Sequence, residues 1–186
     1  MKILPVKFYE RDTLKVAKEL LGKIIVKGGT AGIIVETEAY KKDGASHASK
    51  RTPRSEIMFG PPGRAYVYFI YGNYYCLNFV TEKNGIPGAV LIRAVEPIKG
   101  INIMKRRRKC DDIRNLTSGP GKLCQAFGIT KEHNGTSLIN GPIKVLDNKM
   151  KFEIGVSKRI GISGKDADLP WRFYIKGNEF VSKRKI

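Results

Sequence analysis

The chain has 186 residues, 41% of them apolar, which suits one folded domain with a sizeable core. Its 35 Lys and Arg against 17 acidic residues give a formal net charge of +18. This points to a polyanionic partner, and to nucleic acid over an anionic membrane, because no basic amphipathic helix with a large apolar face and no apolar run near the roughly 18 residues of a membrane span is apparent. The three scattered cysteines, Cys76, Cys110 and Cys124, form no CxxC pair and have only His47 and His133 beside them. They argue against a structural zinc site and, without a signal peptide, for a reducing cytoplasm, nucleoid-associated in a prokaryote.

In chain order, Asp12 or Thr13 caps a helix to Leu21 with Leu14, Ala17, Leu20 and Leu21 on its apolar stripe, and Gly22 stops it. Residues 23–26 and 32–39 read as strands either side of the Gly28-Gly29 turn. Residues 41–64, rich in Gly, Pro, Ser and Lys, read as a long functional loop. Residues 65–70 and 75–81 read as a hairpin around Gly72-Asn73. A two-residue loop pairs Tyr68 with Leu77, whereas a three-residue loop, Gly72 to Tyr74, pairs it with Asn78. Residues 89–94 form another strand, and Pro97 opens a helix running to about Lys109. The closing run Lys105-Arg-Arg-Arg-Lys109 serves equally as a solvated helix end or, through Arg107, as a phosphate contact. Ser118 caps a further helix with Pro120 in its first turn, and Lys122 beside that N-terminus is a phosphate-contact candidate. The segment is not a P-loop, since its two glycines are too close and Leu123 follows the lysine. The tail, residues 182–186, reads as a frayed basic end.

Two groups of residues carry chemistry. Alternation along the strand places Glu36, Glu38 and Tyr40 on one face. They form either a polar outer face or a general-base carboxylate beside an aromatic wall. Five of the eight tyrosines, Tyr66, Tyr68, Tyr71, Tyr74 and Tyr75, crowd the hairpin, and flat rings are surfaces on which bases stack. Tyr66, Tyr68 and Ile70 share a face, while Tyr71 at the turn is a candidate wedge between base pairs. His47 has no second ligand at metal spacing, so it reads as a solvated loop residue or a neutral hydrogen-bonding ring.

The segments Val35-Glu-Thr-Glu-Ala-Tyr40, Arg51-Thr-Pro-Arg54, Met58-Phe-Gly-Pro-Pro-Gly63, Tyr66-Val-Tyr-Phe-Ile-Tyr-Gly72, Cys76-Leu-Asn78, Val90-Leu-Ile-Arg-Ala-Val-Glu-Pro97, Gly119-Pro-Gly-Lys-Leu123 and Pro170-Trp-Arg-Phe-Tyr174 occur in that order. Together they resemble the alkyladenine (3-methyladenine) DNA glycosylase family. Ser55, Asn73 and Lys158 depart from that pattern, in loops only. The resemblance implies a single α+β domain built on a curved antiparallel sheet with flanking helices. It implies a monofunctional enzyme, acting without cofactor or metal, that flips alkylated or deaminated purines out of duplex DNA and hydrolyses the glycosidic bond. Candidate substrates are 3-methyladenine, 7-methylguanine, hypoxanthine and ethenoadenine, and a monomer is expected. Residue by residue, Glu38 is the base that deprotonates the attacking water and Arg93 positions that water. Tyr40, His47 and Tyr68 are the pocket walls, Asn78 is a gate against the guanine 2-amino group, and Tyr71 is the wedge. Arg54, Lys122 and Arg107 are the phosphate-contact candidates. Tyr66, Tyr74 and Tyr75 are left to packing or backbone contacts. The alternatives to an enzyme are a non-catalytic nucleic-acid-binding module and, on charge and size alone, a ribosomal protein.

Overall fold

The structure, a computed structural model, describes residues 1–70 and 72–182. Tyr71 and residues 183–186, and with them the expected wedge and most of the basic tail, lie outside the described residues. Asp12 caps the first long helix through a bond from Lys15 N–H, so α2 (Thr13–Leu20) follows a single turn, α1 (Val6–Tyr9). Val16, Ala17 and Leu20 are buried on its inner stripe. The strands are β1 (Ile24–Lys27), β2 (Thr30–Tyr40), β3 (Ala65–Ile70), β4 (Tyr74–Val80), β5 (Ala89–Lys99), β6 (Ile143–Leu146), β7 (Ile154–Ser157) and β8 (Arg172–Ile175); α3 (Ile101–Arg108) and α4 (Pro120–Phe127) follow β5. All the pairings are antiparallel, in the order β3-β4-β5-β2-β1-β6, with β8 joining β2 to β7. This is the α+β architecture the resemblance implied. Among the described residues no helix is long and apolar enough to cross a membrane.

β2 is the spine of the sheet. One edge pairs along its length with β5, while the other changes partner, from β1 at Thr30–Ile33 to β8 at Glu36–Glu38. At the change the register with β5 slips twice: Val35 on β2 and then Arg93 on β5 have no opposite partner. Such bulges bend a strand and re-aim side chains. Here they turn Arg93 toward both Glu36 and Glu38.

Alternation sorts the remaining side chains onto two faces. Ala65, Val67, Leu77, Phe79, Val90 and Ile92 join α2 and α4 in the main core, with Leu123, Cys124, Ala126 and Phe127 contributed by α4. The opposite face carries Tyr66, Val80 and Ala89, which pack with Ala48 and Met58 of loop 41–64 into a second, smaller core. The long loop is therefore anchored by its own apolar contacts, with short 3₁₀ turns at His47–Ser49 and Glu56–Phe59.

Four expectations need correction. The hairpin register pairs Tyr68 with Cys76 and Tyr66 with Asn78, so neither expected loop is formed. Three residues, 71–73, connect the strands, one position earlier than the three-residue alternative, with Gly72 at φ 67°. The required outcome survives, because Tyr66, Tyr68, Cys76 and Asn78 occupy one face. Pro97 does not open a helix. β5 runs on to Lys99, and since β4 pairs only with Ala89–Leu91, the proline lies where that edge of the strand lacks a strand partner. The corner falls instead at Gly100, φ 75°, and α3 starts at Ile101. Ser118 pairs with Ala94 in an isolated bridge, and Gly119 takes the N-cap position before Pro120. Finally, Glu36 and Glu38 do not form an exposed polar face, for both are fully buried.

Candidate active site

The two glutamates flank Arg93 but sit in different surroundings. Glu36 Oε1 accepts from Arg172 Nε at 2.6 Å, Ser182 Oγ at 2.8 Å and Arg93 Nε at 3.1 Å, and Oε2 accepts from Ser182 N at 2.6 Å. Glu38 Oε1 accepts from Ile160 N at 2.7 Å and Oε2 from Tyr40 Oη at 2.8 Å, while Arg93 Nη1 stands 3.4 Å away. Burial pushes the Glu38 pKa above the ordinary carboxylate value, and Glu36 adds to this. Arg93, the Ile160 N–H and the Tyr40 hydroxyl oppose the rise. Arg93 shows the opposite balance: burial works against its charge, but Glu38, Glu36 and Tyr40 raise its pKa, so it stays a cation.

Beside this pair opens a cavity of about 330 Å³, in the usual size range for a small-molecule site. Tyr40, His47, Arg54, Tyr68, Asn78 and Arg93, six of the residues singled out in the sequence, line it together with Tyr66, Cys76 and the Ile160–Ile162 segment. Glu38 is not a lining residue. Its carboxylate lies one layer behind the wall, screened by Tyr40, Ile160 and Arg93.

The aromatic lining is organised. His47 meets Tyr68 edge-on, ring centres 4.9 Å apart, and Tyr66 leans on Tyr68 at 5.0 Å. His47 Nδ1 and Tyr66 Oη are 3.0 Å apart. His47 and Tyr68 are thus in contact in the cavity lining, to which Tyr40 also contributes. Partial burial and the nearby Arg54 push the His47 pKa below its ordinary value, so the ring is neutral at pH 7. The Tyr40 and Tyr68 phenols are raised by burial and by neighbouring negative groups. The Cys76 thiol, at the floor, is pushed up to about 11 by burial and remains protonated. Asn78, buried, is held by a bond from Nδ2 to Tyr66 O at 3.2 Å.

The three basic candidates are placed apart. Arg54 sits 4.9 Å over the Tyr68 ring and donates to Phe69 O at 3.2 Å, so it belongs to the cavity wall. Lys122 bonds Asn115 Oδ1 near the start of α4. Arg107 donates to Ala126 O at the far end of that helix while staying exposed. The hairpin leans on α4, where Tyr74 touches Gly121 so closely that a Cβ there would lie 2.9 Å from the ring. Among the described residues no group of three His, Cys, Asp or Glu side chains could hold a metal ion.

Several site residues had escaped the sequence reading. Tyr66 was assigned to packing although alternation already placed it beside Tyr68. Cys76 becomes visible only once the hairpin register is known. Arg159, Ile160, Arg172 and Ser182 lie more than 115 residues from the acidic side chains they bond, Asp43, Glu38 and Glu36, and no local periodicity announces them.

The family model for methylpurine-DNA glycosylase matches residues 7–179. A protein of Methanoculleus marisnigri named for 3-methyladenine DNA glycosylase is 51% identical over 97% of this chain and 99% of its own length. Similarly named proteins of Methanocella arvoryzae and Clostridium acetobutylicum are 51% and 48% identical, the first over 99% of this chain and 98% of its own length, the second over 96% of each. With a matching family model over nearly the whole chain and relatives of this similarity, the chain belongs to the methylpurine-DNA glycosylase family, hydrolases of N-glycosyl bonds.

Proposed function

We propose that this enzyme excises alkylated and deaminated purines from duplex DNA by base flipping and attack of a Glu38-activated water. The supporting observation is the buried Glu38 directly behind the wall of an aromatic cavity, paired with Arg93 in that wall, in a chain of net charge +18. A glycosidic bond inside a stacked duplex is out of reach, so the nucleotide must leave the helix. The extruded base lies between Tyr40 on one side and the His47–Tyr68 pair on the other. Methylated purines such as 3-methyladenine and 7-methylguanine carry positive charge, and each good aromatic contact favours that charge by about 0.5–2 kcal/mol. The Asn78 amide obstructs a guanine 2-amino group, and Tyr71 fills the gap left in the duplex.

For hydrolysis the water oxygen bonds to C1′, the C1′–N bond breaks with its electron pair leaving on the base, and Glu38 takes the proton. The ionised carboxylate also stabilises the cationic sugar as the base departs. Arg93 makes the loosest of the contacts to Glu38 and, like Tyr40 and Ile160, lines the cavity, so the water enters on its side. Arg93 keeps Glu38 ionised against its burial. The enzyme acts as a monomer in the cytoplasm, nucleoid-associated in a prokaryote.

The test is a base-release assay on duplexes that each carry one lesion, 3-methyladenine, 7-methylguanine, hypoxanthine or ethenoadenine, followed by alkali cleavage of abasic sites. Release from at least one lesion duplex and not from undamaged DNA is expected. Tight DNA binding with no release from any duplex would return the protein to the binding-module alternative.

A further inference from the structure

Arg159 lies outside the cavity wall, yet its guanidinium makes four hydrogen bonds near the site. It is sandwiched between the rings of Tyr40, at 4.9 Å, and Trp171, at 5.1 Å. It grips Asp43 through two nitrogens, at 2.8 and 3.2 Å, and also donates to Ala39 O at 3.2 Å and Asp166 O at 2.9 Å. The residue is 3% exposed. A planar, five-donor fork stacked between two rings is a job that lysine cannot do.

The two neighbours of that fork are the two hydrogen-bond donors of Glu38. Tyr40, whose ring it stacks on, donates to Oε2, and Ile160, the next residue in the chain, donates its N–H to Oε1. Arg159 also joins the segment carrying Ile160–Ile162, which lines the cavity, to loop 41–46, a junction reinforced by Gly44 N–H donating to Asp166. We infer that Arg159 is a positioning residue that holds the Tyr40 hydroxyl and the Ile160 N–H on Glu38, and so sets both the pocket wall and the acidity of the catalytic base. The inference rests on the reading of Glu38 as that base.

The groups facing Glu38 define the expected response. Arg93 from β5, the Ile160 N–H and the Tyr40 hydroxyl lower its pKa, Glu36 raises it, and Tyr68 and Cys76 face it as neutral groups from β3 and β4. Arg172 from β8 spends its charge on Glu36. Loosening Tyr40 and Ile160 together removes two of the influences that favour the carboxylate, and both losses act in the same direction. Arg159→Lys keeps the charge and loses the fork and the stack.

The experiment is single-turnover release as a function of pH, on the lesion duplex that the wild type cleaves fastest. For Arg159→Lys the rate at pH 7 falls by about 10–100-fold, the cost of sub-ångström misplacement at a catalytic group. The acidic limb of the profile moves to higher pH, and the rate recovers as pH rises. Trp171→Leu, which leaves the Asp43 ion pair intact, moves the limb the same way by less and serves if the lysine variant does not fold. An unmoved limb in the folded variants, whether or not their rates fall, overturns the inference. A wild-type protein that releases no base refutes the glycosylase reading instead, so the two failures are distinct.

Discussion

Glu36 and Glu38 differ by two positions on one strand, share Arg93, and are equally buried, yet their surroundings give them different work. Around Glu36 each carboxylate oxygen faces a donor that cannot reverse: Oε1 meets Arg93 and Arg172 beside the Ser182 hydroxyl, and Oε2 meets the Ser182 amide. Around Glu38 one of the neighbours is the Tyr40 hydroxyl, which can reverse its bond and accept. Glu36 is a saturated anchor that fixes the bulged Arg93 and ties the chain's end to the sheet. Glu38 is less fully satisfied and stands directly behind the cavity. The same side chain is structural in one corner and fit for proton transfer in the other, because of what donates to it and what lies beyond it.

Isosteric amides separate the two. Glu38→Gln keeps the Ile160 bond on its carbonyl and turns its NH₂ toward the Tyr40 hydroxyl, so the fold persists. Base release falls by about 10²–10⁴-fold, the usual contribution of a general base, with affinity for lesion DNA retained in a binding titration. In either orientation the Glu36→Gln NH₂ meets an N–H that cannot accept, from Ser182 on one side or from Arg93 and Arg172 on the other, and the two arginines are left short of a counter-charge. Breaking a buried pair costs about 3–5 kcal/mol, so denaturant unfolding shows a large loss of stability, while the variant that folds still releases base. A Glu36→Gln protein of unchanged stability would break the comparison.

Smaller effects sharpen it. A base whose pKa is raised by burial loses its ionised form at a pH above that of an ordinary carboxylate. The pH–rate profile therefore declines on the acid side above 4.5, the ordinary value for glutamate, as Glu38 takes up a proton. Asn78→Ala removes the amide from the cavity floor and raises release of guanine-derived bases relative to adenine-derived ones by about tenfold, read from paired lesion duplexes. Arg107→Ala, far from both glutamates, leaves single-turnover chemistry unchanged. If Arg107 touches a phosphate, the slope of log affinity against log salt drops by about 1.

Much of the site was readable where it depended on local pattern. Alternation alone brings Glu38 and Tyr40 to one face, and the turn glycines locate both hairpins. The resemblance supplied the remaining named residues, and five of them line one cavity with Tyr40. The readings that failed depended on register or on distance along the chain. The hairpin loop is shifted by one residue, because composition cannot say which three residues turn. The paired bulges at Val35 and Arg93 have no sequence signature, yet they explain how one arginine reaches two glutamates. Pro97 carries a helix-opening signal that the strand edge overrides. β6, β7 and β8 are four residues each, too short for periodicity to stand out. β7 and β8 nonetheless lead into or carry Arg159, Ile160 and Arg172, so the second half of the site became visible only in three dimensions.

The most direct measurement compares single-turnover base release by wild type, Glu38→Gln and Glu36→Gln on the same lesion duplex, with unfolding curves for all three. The account predicts that Glu38→Gln is as stable as the wild type and nearly inactive, whereas Glu36→Gln is destabilised and active. A Glu38→Gln enzyme that releases the base at the wild-type rate would contradict it.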